Sequence, residues 1–357
     1  MKDVEIILTV TFKNQAKELL YRGESWYRKG IVDHLEVSES SITLIFHRKK
    51  DVDQEFLFST NSPARFQLYR AICFYLSVVG RIPQIEKMTF TVNGEPHPID
   101  VERLTEHWAN CNIDMTLDKE KAAKCFDEDG KRCYVAITYF LKAQLDVFSN
   151  DCFRAAWSGL NTLYDLMSEK PAETEKLKAF GNYILNTGLP NTELNVSALD
   201  QRFWDRLQWH IYIQNRIQRG GKDRFLSNMI SDFYSDRDIY DHIASYLLAN
   251  RANEEDERYQ MLEEKLKAKR KLGDSSAREK ARFLLTHYCY TLRNKTFHGE
   301  RPYPVFRLED EKAVEEERIL THLLLEAIRD LLNDYGSIIG NSIANIQNKV
   351  GGRAKNV

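Results

Sequence analysis

Phe153-Arg154-Ala155-Ala156-Trp157-Ser158-Gly159-Leu160-Asn161-Thr162-Leu163-Tyr164-Asp165-Leu166-Met167 carries large apolar side chains at Phe153, Trp157, Leu160, Tyr164 and Met167, at steps of 4, 3, 4 and 3. That spacing draws one stripe along an α-helix, with Asn150 or Asp151 as the expected N-cap. Two later stretches repeat it. Ala281, Leu285, Tyr288 and Leu292 follow Asp274-Ser275-Ser276, an expected cap, and Leu320, Leu324, Ala327 and Leu331 lie within Glu311–Tyr335. Striped helices of this kind bury their apolar faces against each other in a bundle. Gln201–Arg219, Lys222–Asn250 and Glu254–Lys271 are expected as helices inserted between them.

The first hundred residues have a different rhythm. Glu5–Phe12, Ser41–Phe46, Glu55–Ser59 and Lys87–Val92 alternate or are β-branched, as strands do. Asn93-Gly94 is a turn signal closing the last of them, and Ala64–Val79 has helical periodicity. The fold class is therefore α+β and mainly α. A mixed α/β domain over 1–117 leads through a charged bridge at 118–134, with Asp127-Glu128-Asp129-Gly130 as a turn, into a helical domain over 135–335. An insertion occupies about 170–275. The polar tail, 336–357, is expected to be disordered at its end.

Composition agrees with long helices. The chain has 357 residues, enough for two domains of roughly 150. Its 16 glycines and 8 prolines are about 7% of the chain, against about 12% on average. That excludes collagen-like and linker-dominated architectures. With 51 basic and 53 acidic side chains the net charge is −2, so nucleic acid must be held by local patches and not by a global positive field. The N-terminus reads as a strand and not a signal peptide, and no apolar run is long enough for a membrane span. Six scattered cysteines without a C-x-x-C pair suit a reducing, cytoplasmic location. His107, Cys111, Cys125 and Cys133 are the one set worth weighing for zinc, but spacings of 4, 14 and 8 match no familiar ligand pattern. Neither a metal nor a cofactor is expected.

The chemistry-bearing stretch is Tyr290-Thr291-Leu292-Arg293-Asn294-Lys295-Thr296-Phe297-His298-Gly299-Glu300-Arg301-Pro302. Gly299 is placed to cap a helix that Pro302 stops. Arg293 and His298 then stand near the end of a core-facing helix, roughly 140° apart in an ideal one. Asn294 and His298 share a face. A histidine near neutral pKa can move the 2′-hydroxyl or leaving-group proton of RNA, a guanidinium can grip the phosphate, and an asparagine can orient the imidazole or hold a phosphate oxygen. Arg28…His34, Arg282…His287 and Arg237…His242 have similar spacing, but none joins a polar next residue to a helix end with a glycine cap. The plainer alternative is a helix C-cap, with cations meeting the helix dipole.

Arg293-Asn294-x-x-x-His298-Gly299 after a helix, together with the Phe153–Tyr164 helix upstream, resembles the HEPN superfamily of helical-bundle proteins, and its abortive-infection branch most. The resemblance spans about 135–335. It implies a metal-independent endoribonuclease of prokaryotic antiviral defence or toxin type, a homodimer, with Arg293, Asn294 and His298 in catalytic roles. It also implies a cognate inhibitor or activating partner. The alternative is a non-catalytic regulatory or scaffold member that dimerises or binds nucleotide or RNA. RNA contacts are expected from Lys295, from Lys267, Lys269, Arg270 and Lys271 in a basic run, and from Arg216 and Arg219, which lie near Trp204, Trp209 and Tyr212.

Overall fold

The computed structural model describes residues 4–13, 16–28, 30–48, 59, 62–99, 113–146, 149–251, 256–272, 276–297 and 311–340. Its class is mixed α+β, an N-terminal antiparallel sheet followed by helices. The proposed strand before Ser59, the ligand candidates His107 and Cys111, and the polar end of the tail lie outside the described residues. By compactness the chain forms two units, Met1–Leu166 with Leu331–Val357, and Met167–Asp330. The Phe153–Tyr164 helix therefore groups with the sheet, and the other striped helices mainly with the second unit.

In the first unit, β1 (Val4–Phe12), β2 (Leu19–Arg28), β3 (Ile31–Ser38), β4 (Ser41–Arg48), β5 (Ile85–Val92) and β6 (Glu95–Ile99) form a sheet in the order β2-β3-β4-β1-β5-β6. Ile6 lies opposite Phe46 and Val92, and Leu8 opposite Leu44 and Phe90. One face thus collects the alternate apolar side chains, and Ile6, Leu8, Leu44, Phe46 and Phe90 on it are buried. The helix α1 (Pro63–Val79) packs on that face through Phe74 and Tyr75, with Ser62 as its N-cap.

Three strands are not evident from alternation. On β3 the inward positions are Asp33, Leu35 and Val37, so a carboxylate interrupts the apolar pattern. Arg48 grips it through two bonds of 2.9 and 3.1 Å, and Gln67 of α1 donates to it at 3.3 Å. The partner edge strand, β2, carries Ser25 inward, bonded to the same Gln67 at 2.8 Å. β6 contains Pro96 and Pro98, which an edge strand alone tolerates. Asn93-Gly94, with φ of 48° and 89°, is consequently the turn of a hairpin and not the end of the sheet.

The expected bridge is structured: α2 (Lys119–Ala122), a 3₁₀ turn (Ala123–Phe126), the turn at 127–130, then α3 (Lys131–Leu145). Gly130 is needed for close approach, since a Cβ there would stand 2.3 Å from the Lys124 carbonyl oxygen. Lacking a side-chain cap, α3 uses Tyr335, whose hydroxyl accepts from the Cys133 amide at 3.1 Å and donates to the Asp129 carbonyl at 3.1 Å. The helix α4 (Ser149–Tyr164) packs along α3 and buries Phe153, Trp157, Leu160 and Tyr164. It begins at Ser149, so Asn150 and Asp151 lie in its first turn and neither is the cap expected from sequence.

The second unit contains α5 (Glu173–Asn186), α6 (Pro190–Ser197), α7 (Gln201–Arg206), α8 (Trp209–Gly220), α9 (Lys222–Ile230), α10 (Arg237–Ala249), α11 (Glu257–Lys269), α12 (Ala277–Phe283), a π-helical turn (Leu284–Tyr288) and α13 (Cys289–Phe297). Most of α14 (Glu311–Asn333) belongs to it as well. Two segments expected as single helices are broken. The α7–α8 break at Leu207-Gln208 is held by tertiary bonds: the Gln208 amide donates to the Tyr288 hydroxyl at 2.7 Å, and the Trp209 indole to the Trp204 carbonyl at 2.7 Å. The α9–α10 break at 231–236 includes Asp232 at a φ of 70°.

Candidate functional site

The helical run α12–π turn–α13 is the centre of the second unit. Ala281, Leu285, Tyr288 and Leu292 are all buried, as the stripe demands, and so are Phe283, Leu284, Cys289 and Thr291. Ser276 holds the N-cap position, though its side chain makes no capping bond. Helices read from sequence as an insertion enclose this run. Leu177, Phe180 and Ile184 of α5 are buried, and α5 packs on α12 and the π turn. Trp209 and Tyr212 of α8 meet Phe283 at ring separations of 5.4 and 5.2 Å. Burial on so many sides leaves Tyr290 and Arg293, three residues apart, on a less covered strip.

Tyr288 ties the run to α14. Its hydroxyl donates to the Glu316 carboxylate at 2.5 Å, and the Gln208 side-chain Nε2 donates to the other Glu316 oxygen at 3.2 Å. Glu316 therefore belongs to the interior, although it stands in the acidic stretch Glu309–Glu317. Its helical phase relative to Leu320 is what marks Glu316 among the described acidic residues of that stretch.

Arg293 is partly exposed, and its Nη1 donates to Asn294 Oδ1 at 2.9 Å. Asn294 is only 4% exposed, and its Nδ2 has no hydrogen-bond partner among the described residues. The asparagine oxygen thus holds the guanidinium, whereas sequence reasoning offered it to the imidazole or to phosphate. Lys295 is partly exposed beside them. His298, Gly299 and Pro302 lie outside the described residues.

Two of the three rival pairs are occupied. His287 of the π turn packs against Phe233, Tyr234 and Phe283. Burial, then the nearby Arg216 and Arg282 charges, push its pKa down to about 3, so it is neutral near pH 7. His242 stacks on Trp209 at 4.7 Å, and burial lowers its pKa. Arg237 is paired with Asp238 at 3.0 Å.

The basic residues expected to hold RNA divide into two groups. Lys269 is 5% exposed; its ammonium donates to the Tyr234 and Ser235 carbonyls at 2.9 and 2.6 Å and pairs with Asp232 at 2.9 Å. Arg270 is paired with Asp241 at 2.7 Å, and Lys267 with Glu263 at 2.8 Å. Lys271 is exposed. The run is thus mostly employed in holding helices and the 231–236 turn. Trp204, Trp209 and Tyr212 are core residues and present no face for stacking. Arg216 and Arg219, by contrast, come to the motif helix. The Arg219 guanidinium lies over the Tyr290 ring at 5.7 Å, and Arg216 over Phe233 at 5.6 Å.

Cys125 and Cys133 are buried, and burial raises both thiol pKa values. Among the described residues no group of three or more His, Cys, Asp or Glu is arranged to hold a metal ion. Nor is any described helix long and apolar enough to cross a membrane. Comparison with protein-family models, curated proteins and solved structures finds no match.

Proposed function

We propose that the protein is a metal-independent endoribonuclease of the HEPN type, serving prokaryotic defence or acting as a toxin. The observation that carries this reading is Arg293, held by buried Asn294 on the least covered strip of a central helix. Arg216 and Arg219 lie beside that strip. In the reaction the 2′-oxygen attacks phosphorus and the P–O5′ bond breaks. The 2′-hydroxyl proton passes to a base and the leaving 5′-oxygen takes one from an acid, giving 2′,3′-cyclic phosphate and 5′-hydroxyl ends. Arg293 grips the phosphate and stabilises its growing charge. His298 is the proton-moving group, and Asn294 positions Arg293. A single imidazole does not readily serve as base and acid in one step, so a two-fold dimer bringing two motifs to one phosphate completes the site.

The test is cleavage of total RNA in chelator, with the fragment ends analysed. Cyclic-phosphate ends are expected, and Arg293→Ala or His298→Ala should each lower the rate by about 10²-fold or more. Arg237→Ala, at a rival pair, should cleave normally. Mixing the two inactive variants should restore part of the activity if the site is shared. Cleavage that needs added magnesium and survives in both variants would overturn the reading.

A further inference from the structure

The second unit pairs many of its arginines with carboxylates: Arg206 with Glu315, Arg258 with Asp256, Arg270 with Asp241 and Arg278 with Glu193. Arg216 and Arg219 differ. Among the described residues neither guanidinium has a carboxylate within ion-pair distance, and each lies over an aromatic ring instead. One turn apart on α8, they share a face, with Cβ atoms about 5–6 Å apart. Phe233 keeps 39% of its surface exposed, which is unusual for a large apolar side chain beside uncompensated positive charge. Tyr290, beneath Arg219, lies three residues before Arg293 on the same strip of the motif helix.

The turn that presents Phe233 is built to stay in place. Asp232 takes a φ of 70°, and its carboxylate meets the buried Lys269 ammonium at 2.9 Å. The same ammonium holds the carbonyls of Tyr234 and Ser235, and the Phe233 amide donates to the Asn228 carbonyl at 2.9 Å. An exposed ring on a braced turn, beside two guanidiniums without acidic partners among the described residues, is a surface with π faces and available positive charge.

We infer that Arg216, Arg219, Phe233 and Tyr290 form a binding subsite for unpaired nucleotides, leading a single RNA strand to Arg293. The subsite rests on the endoribonuclease reading for its substrate, but its binding is measurable apart from cleavage. The guanidiniums take the phosphates, and bases stack on the aromatic rings or guanidinium planes. A duplex keeps its bases inside the helix and offers none to these rings, so the subsite favours single strands.

The experiment uses the full chain and a fluorescein-labelled single-stranded oligoribonucleotide of roughly 12 nucleotides, 2′-O-methylated throughout so that the attacking hydroxyl is blocked. Anisotropy should show binding tighter than to the same sequence as a duplex. Phe233→Leu removes the ring yet stays apolar, and should weaken binding by roughly 5–100-fold. Arg219→Gln, at an exposed helix end, should reduce the slope of log K against log salt by about 0.7. Arg22→Gln, on the sheet and paired there with Glu36, should bind like the natural protein. Equal affinity for duplex, or wild-type affinity and salt slope in both the Phe233 and Arg219 variants, would overturn the subsite even if cleavage persists. Binding that follows the predicted pattern in a protein that never cleaves RNA would sustain the subsite and sink the nuclease reading.

Discussion

Replacing Lys269 with methionine separates a lysine that binds RNA from one that holds the fold. The side chain is 5% exposed and its ammonium has three oxygen partners, the Tyr234 and Ser235 carbonyls and the Asp232 carboxylate. Methionine keeps an apolar stem and removes only the charged head, which also lies over the Tyr240 ring at 5.2 Å. Breaking a buried ion pair costs about 3–5 kcal/mol. Here the Asp232 side chain is 37% exposed, so water re-solvates it and the carboxylate part falls toward the surface value of under about 1 kcal/mol. Two carbonyls losing charge-assisted bonds add about 1–3 kcal/mol together. The expected loss is therefore about 1–4 kcal/mol, or roughly 5- to 1,000-fold in the opening equilibrium. Hydrogen exchange read by mass spectrometry resolves it: amides of 228–240 should lose that much protection, while those of β1 and β4 keep theirs. A Lys269→Met protein with unchanged protection and weakened RNA binding would refute the structural role and reinstate the sequence reading.

Two further outcomes are expected. His287 has its pKa pushed down to about 3 by burial and by Arg216 and Arg282, below an unfolded value near 6.5. The unfolded chain thus binds the extra proton first, so this contribution is complete above about pH 6.5 and is lost as pH falls toward 3; between pH 7 and 5 it amounts to about 2 kcal/mol. Urea unfolding across that range should show the loss, and His287→Gln should flatten it; an unchanged pH profile in the variant would show that His287 is not the group responsible. Asn294 acts through Arg293, so Asn294→Ala should slow cleavage by about 10-fold or more in the natural protein and add little in an Arg293→Ala background. Fully additive losses would show that Asn294 has an independent role.

How the sequence alone served the site is clearest along the motif helix. Its stripe at Ala281, Leu285, Tyr288 and Leu292 decided which way the helix faces, because burying apolar surface depends on side-chain phase and needs no knowledge of the partner. Phase also left Arg293 on the less covered side. Charge was harder to read. Lys269 and Arg270 look alike within a basic run, yet one is buried by a turn more than thirty residues earlier in the chain and the other is paired on α10. Glu316 differs from its acidic neighbours only through Tyr288 and Gln208.

The same division runs through the fold. Alternation alone determined β1, β4 and β5, since each buries a regular apolar face. It failed at β3, where Asp33 points inward and is tolerated only because Arg48 and Gln67 meet it there. It failed again at the helix breaks, whose free backbone groups find partners in distant side chains such as Tyr288 and Lys269. A sequence shows which groups must leave water, because that depends on each side chain's own chemistry and periodicity. Which polar groups go with them is decided only by tertiary structure, since a buried charge or amide is stable only when a remote partner is already in position.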